Sequence, residues 1–143
     1  MKPFLIIVLA SFILICSCRH GLDPYYGLCV YNNSDNEIYA YLAEGGAYAT
    51  SYPDTMLPEK SPGIKSSLLP IVPLGSKWCF GSTIRWNKII QQLPHDTLSI
   101  FILDADTVSK YSWETIRNNN KILKRYDLSI SDLEKTGYRV YYP

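Results

Sequence analysis

Apolar and polar positions divide the chain into three unlike parts. An apolar run from Phe4 to Ile15, broken only by Ser11, stands first. A short polar stretch follows, "RHGLDPYYG" over 19–27, punctuated by Gly and Pro as a tether would be. From Leu28 onward the pattern is that of short globular elements. "LCVYNNSDNEIYAYLAEGG" predicts two strands around a polar turn at Asn32 to Asn36, a hairpin arrangement. In the second strand Ile38, Ala40 and Leu42 share one face while Tyr39 and Tyr41 share the other, so both faces are expected to be covered.

The next stretch, 45–70, is rich in Gly, Ser and Pro. A structureless segment of that length is uncommon in a compact domain, and it is expected to form variable surface. "LLPIVPLGSKWCF" predicts two short extended pieces around a turn at Pro73 to Ser76. In "STIRWNKIIQQLPHD" the residues Trp86, Ile89, Ile90 and Leu93 fall at the spacing of one buried helical face, with Ser82 or Thr83 as cap and Pro94 beyond the end. "TLSIFILDADTV" predicts a central strand, "SWETIRNNN" a short helix opened by Ser112, and "KILKRYDLS" a further strand. "SDLEK" predicts a single helical turn boxed by Ser131 and Glu134 and stopped by Gly137, and "YRVYYP" a last strand. The expected fold is α+β, mainly antiparallel β in a sandwich-like sheet with two or three short helices. No β-α-β alternation supports a doubly wound parallel sheet.

The N-terminal run is too short for the roughly 20 residues that a membrane-spanning helix needs. Preceded by Lys2 and followed by small residues, it reads as a secretory signal. Around Cys18 the order Ile15, Cys16, Ser17, Cys18 resembles the bacterial lipobox: an aliphatic residue three before the cysteine and a small one just before it. Cys16 fits less well, because Ile15 occupies the position that should be small. The expectation is a signal peptide over 1–17, cleavage between Ser17 and Cys18, lipid on Cys18, a tether over 18–27 and one domain over 28–143. Each buried acyl methylene adds about 0.8 kcal/mol, so two or three chains anchor firmly. A redox or metal role for the Cys16–Cys18 pair lacks a folded surround and a His/Cys cluster at ligand spacing.

Composition narrows the function classes. The 143 residues suit one domain, and a net charge of +1 without a basic stripe points away from nucleic acid. The 12 tyrosines are the unusual component. They suit half-buried strand surfaces, and alternatively an aromatic platform for sugar or peptide. Cys29 and Cys79 remain after processing. They are read either as a disulfide, worth about 4 kcal/mol for a loop of about 50 residues, or as two separate buried thiols.

Catalytic signals are sparse. His95 is the domain's one histidine and reads as a helix-end or solvent-facing residue. Asp104 and Asp106 can offer two carboxylates at a strand end, but the calcium-loop pattern fails and a turn leaving the strand explains them as well. No GxSxG, HExxH, Walker or GxGxxG motif is present. No catalytic residue, metal site or cofactor is assigned.

"SYPDT", "SWETI" and "ILKRYDLSISDLEKTGYRVYYP" resemble a group of small lipoproteins from Bacteroides-type bacteria that has no assigned activity. The resemblance implies an outer-membrane location. In that group an acidic stretch after the lipid cysteine favours surface display. "RHGLD" departs from that pattern and leaves open the periplasmic or the surface face. The resemblance also implies O-glycosylation at Asp-Thr followed by an apolar residue, which makes Thr55, Thr97 and Thr107 the acceptors. The function expected is a non-enzymatic, lipid-anchored module that binds a protein or glycan through the 45–70 segment and exposed tyrosines. Two alternatives are an accessory subunit of an envelope complex, and a periplasmic hydrolase using Asp104, Asp106 and His95.

Overall fold

The computed structural model describes residues 25–43, 57–63, 66 and 69–143. Among them are seven strands and four α-helices: β1 (Tyr26–Asn32), β2 (Ile38–Ala43), β3 (Ile71–Val72), β4 (Lys77–Ser82), α1 (Trp86–Ile90), β5 (Leu98–Asp104), α2 (Ala105–Lys110), α3 (Trp113–Asn118), β6 (Lys124–Leu128), α4 (Ile130–Thr136) and β7 (Arg139–Tyr142). They form two sheets, a three-stranded one in the order β4-β1-β7 and a four-stranded one in the order β3-β2-β5-β6. Every pairing is antiparallel except that of β1 with β7. The fold is α+β and mainly antiparallel, as the sequence pattern predicts.

The sheets lie face to face because each has one largely apolar side to bury. Leu28, Val30, Phe80 and Val140 from the smaller sheet meet Ile38, Ala40, Leu42, Ile100 and Ile102 from the larger, with Trp86, Ile90 and Leu133 closing the ends. A second core forms on the far side of the larger sheet. There Tyr39, Tyr41, Phe101 and Leu103 are covered by Val108 of α2, Ile116 of α3 and the side chains of Leu57 and Leu69. Strands β2 and β5 are therefore buried on both faces, which is why their apolar residues run almost without interruption.

β1 and β2 do not form the expected hairpin. They belong to different sheets, and the segment between them is a corner. Asn32 builds it. Its side chain is fully buried, and Nδ2 donates to the carbonyls of Asn36 (2.7 Å) and Val72 (3.0 Å). Its Oδ1 accepts from the Ser34 amide (3.1 Å) and hydroxyl (2.6 Å). An asparagine can satisfy a tight turn with both ends of its amide, and here that turn redirects the chain from one sheet to the other.

Other local expectations shift by a few residues. Neither Ser82 nor Thr83 caps α1: Ser82 ends β4, where its Oγ accepts from the Ile84 amide, and the N-cap is Arg85 without a side-chain bond. The turn expected at Asp104 is the start of a helix, α2, with the Asp104 carboxylate accepting from the Thr107 amide at 2.7 Å. The capping box of α4 uses Ser129 and Asp132 rather than Ser131 and Glu134. Both pairs fit the spacing, and the earlier one wins because β6 ends at Leu128, leaving Ser129 as the first residue free to cap. Ser112 does open α3, and Gly137 ends α4 in the left-handed conformation, φ 61°.

The 45–70 segment is only partly surface. Leu57 and Leu69 are buried in the second core. Helix α3 holds the chain there, Trp113 Nε1 donating to the Pro58 carbonyl (2.8 Å) and Arg117 Nε to the Leu57 carbonyl (2.7 Å). The rest of the segment's first half lies outside the described residues.

Candidate functional site: a tyrosine-lined cleft

At the end of the sandwich where β1 begins, the strand, the first turn of α1 and the C-terminal end of α4 converge on a cleft of about 410 Å³, open on one side. Tyr25, Tyr26, Arg85, Asn87, Glu134 and Tyr138 line it. Each arrives from a different local cause. Tyr26 pairs with Ser82 at the edge of the β1–β4 ladder, and its carbonyl accepts from Trp86 Nε1 at 3.2 Å, which docks α1 against β1. Arg85, just outside α1, donates from Nε to the Tyr26 hydroxyl at 3.1 Å, with its guanidinium 5.8 Å from that ring. This bond, followed by the charge interaction with the same tyrosine, raises the Arg85 pKa above its ordinary value.

Tyr138 is placed by the end of α4. Gly137 takes the left-handed conformation that a glycine tolerates, and Tyr138 follows it at φ 59°. That is an uncommon conformation for a bulky residue. It is held there by its amide, which donates to the Leu133 carbonyl (2.7 Å), and by its carbonyl, which accepts from the Cys29 amide (2.9 Å). Strained backbone of this kind persists where its surroundings over-determine it, and such positions concentrate at binding sites.

Three polar features of the cleft are unmatched. Among the described residues, Glu134 has no cationic partner, the Nη atoms of Arg85 have no acceptor, and Asn87 Oδ1 is buried without a donor.

The cleft is continuous with the outer face of the three-stranded sheet. Strand alternation turns Gly27, Cys29 and Tyr31 of β1, Lys77, Cys79 and Gly81 of β4, and Arg139 and Tyr141 of β7 away from the core. Tyr25 lies across Gly81, where a methyl group would overlap its ring, so the glycine leaves room for the tyrosine. Cys29 and Cys79 face each other in register and are joined by a disulfide, with Cα atoms 4.0 Å apart. Beyond it, Tyr31 and Tyr141 stack with centroids 4.9 Å apart, and Lys77 Nζ lies 5.3 Å from the centroid of Tyr31. No acidic side chain stands among these outward positions.

The other residues singled out in the sequence do not assemble. Asp104 caps α2, and Asp106 pairs with Lys110 at 3.0 Å on an exposed face. Both border a small depression beside Glu37, of about 230 Å³. His95 sits in the 3-10 turn Pro94–Asp96, at the opposite end of β5. Six strand residues, Leu98 to Leu103, lie between it and Asp104, which at about 3.3 Å per residue is roughly 20 Å. The carboxylates and the histidine are thus not one site. Thr97 is half-buried and donates to the His95 carbonyl (2.8 Å), while Thr107 is half-buried in the first turn of α2. Cys18 and Thr55 lie outside the described residues. Among those described, no group of three or more His, Cys, Asp or Glu side chains stands together as metal ligands would.

The cleft residues come from three separated segments, and no spacing rule links the three. The one local signal was the Tyr25–Tyr26 pair at the start of the first strand. Comparisons with family models, with curated proteins and with solved structures match nothing to this chain.

Proposed function

We propose that the protein is a non-enzymatic binding module, exported and held at the outer membrane by lipid on Cys18, that takes a protein or glycan segment in the tyrosine-lined cleft. The anchoring half of this reading rests on the "ILICSC" sequence. The binding half rests on one observation: three tyrosines, an arginine, a glutamate and an asparagine converge on a single open cleft. Clefts of a few hundred Å³ with aromatic walls and a few convergent polar groups are the usual form of a ligand site. Tyrosine supplies large contact area at low side-chain entropy cost, with a hydroxyl left for hydrogen bonding.

Nitrogen-15 NMR of the full chain in detergent micelles tests the binding half, using two panels of probes, methyl glycosides and short peptides. The reading expects one panel to shift the amides of residues 26–27, 85–87 and 134–138. Silence of those amides to both panels, or binding confined to another surface, overturns it. Intact mass of the envelope-derived protein tests the anchor: it should show a chain beginning at an acylated Cys18, and a chain without acyl mass contradicts it.

A further inference from the structure

The cleft does not end at Tyr25. That ring belongs both to the cleft wall and, through its seat on Gly81, to the outer face of the three-stranded sheet. From Tyr26 to Tyr31 is five strand steps, about 17 Å at roughly 3.4 Å each. Over that span the chain presents aromatic rings at both ends and the compact disulfide between, with no large side chain on the outward face of β1 to block passage. The far end is the Tyr31–Tyr141 stack, where Lys77 covers Tyr31 and leaves Tyr141 the exposed member.

Resting on the binding reading above, we propose that the ligand is an anionic oligosaccharide whose end enters the cleft and whose following sugars run across the sheet face to Tyr141. Two features of the surface select this class. Pyranose rings carry a face of weakly positive C–H groups, which suits the negative face of an aromatic ring, and the track places such rings at intervals rather than in one pocket. Along the sheet face the charges are Lys77 and Arg139, with no carboxylate among the outward positions, and Arg85 stands at the cleft. Acidic groups on the sugars beyond the cleft thus meet cations without repulsion, while the carboxylate of Glu134 lies inside the cleft. Within the cleft, the Glu134 carboxylate is an acceptor for the hydroxyls of the terminal sugar. A peptide would instead be expected to use a free strand edge or a groove, and the track follows a sheet face where the backbone groups are already paired.

Saturation-transfer and titration NMR of the full chain in detergent, with oligouronates of one, two and four sugars and a neutral cello-oligosaccharide of four, tests the proposal. The expected result is affinity rising with chain length, the tetra-uronate binding roughly tenfold more tightly than the neutral tetramer and weakening as salt is raised. Tyr141→Ala should remove most of the gain between two and four sugars. Glu134→Gln should lower affinity for every length. Tyr111→Ala, an exposed tyrosine off the track, is the control with no effect. Thermal melts of each variant identify any that fail to fold, and for Tyr141 the milder Tyr141→Leu, which keeps apolar bulk without the ring, then replaces Ala. Equal binding of neutral and acidic tetramers overturns the anionic assignment. Cleft amides that respond to peptides and to no saccharide overturn this proposal while leaving the binding reading intact, and amides that respond to neither overturn both.

Discussion

Replacing Asn32 with alanine tests the corner that turns this chain from one sheet into the other. The side chain is fully buried and makes four hydrogen bonds. Truncation removes the donor from the buried Val72 carbonyl, a loss of about 1–3 kcal/mol, and the remaining bonds contribute about 0.5–1.5 kcal/mol each at most. Because these terms share one turn and are not additive, the expected loss is about 2–4 kcal/mol. Against a total of about 5–15 kcal/mol for a domain of this size, that is a large fraction. In a thermal melt it corresponds to a fall of about 10 °C or more. Asn32→Asp sharpens the test. Its carboxylate keeps the acceptor for Ser34 but sets negative oxygen against the carbonyls of Asn36 and Val72, so it should destabilise at least as much as alanine near neutral pH. Urea unfolding of the three proteins measures the order directly. A loss under about 0.5 kcal/mol for either variant would refute the claim that Asn32 holds the corner.

Opening the Cys29–Cys79 disulfide, by reductant or by paired replacement with alanine, should cost about 4 kcal/mol on the chain-entropy estimate for the span of 50 residues that it closes, read by calorimetry with and without dithiothreitol. An unchanged melting temperature would mean that the ladder alone fixes β1 against β4. Asp132 makes stability fall as the pH is lowered. The Ser129 hydroxyl, and after it the Ser129 amide, holds its carboxyl below the ordinary aspartate pKa. A folded-state pKa that is depressed gives stability fully present above the unfolded value and lost as pH falls through the folded one. Asp132→Asn should therefore lower stability at about pH 5 and make little difference at about pH 2, as followed by urea unfolding at both. A loss that is the same at both pH values would contradict this.

How much was legible beforehand follows from which residues carry local information. The double burial of β2 could be read from Ile38, Ala40 and Leu42 set against Tyr39 and Tyr41, because alternation alone assigns residues to faces. The ends of α3 and α4 could be read from Ser112 and Gly137, whose capping chemistry acts within four residues. The hairpin reading of β1 and β2 failed for a different reason. Asn32 to Asn36 is good turn sequence for a hairpin and for a corner alike, and the choice is made by the carbonyl of Val72, forty residues away. The start of α2 was hidden because Asp104 fits a turn and a helix cap equally. The cleft was least legible of all. Tyr26, Arg85, Glu134 and Tyr138 become neighbours only when α1 and α4 close the same end of the sandwich, and no local rule gives that closure. What the sequence did show was the excess of tyrosine.

The central claim is that this end of the sandwich, with the sheet face beside it, is the working surface. Isotope-filtered NOEs between the full labelled chain and a bound tetra-uronate test it most directly. The account predicts contacts from sugar-ring protons to the rings of Tyr25, Tyr26, Tyr138 and Tyr141. Contacts confined to other exposed side chains, such as Tyr111 or Leu123, would contradict it.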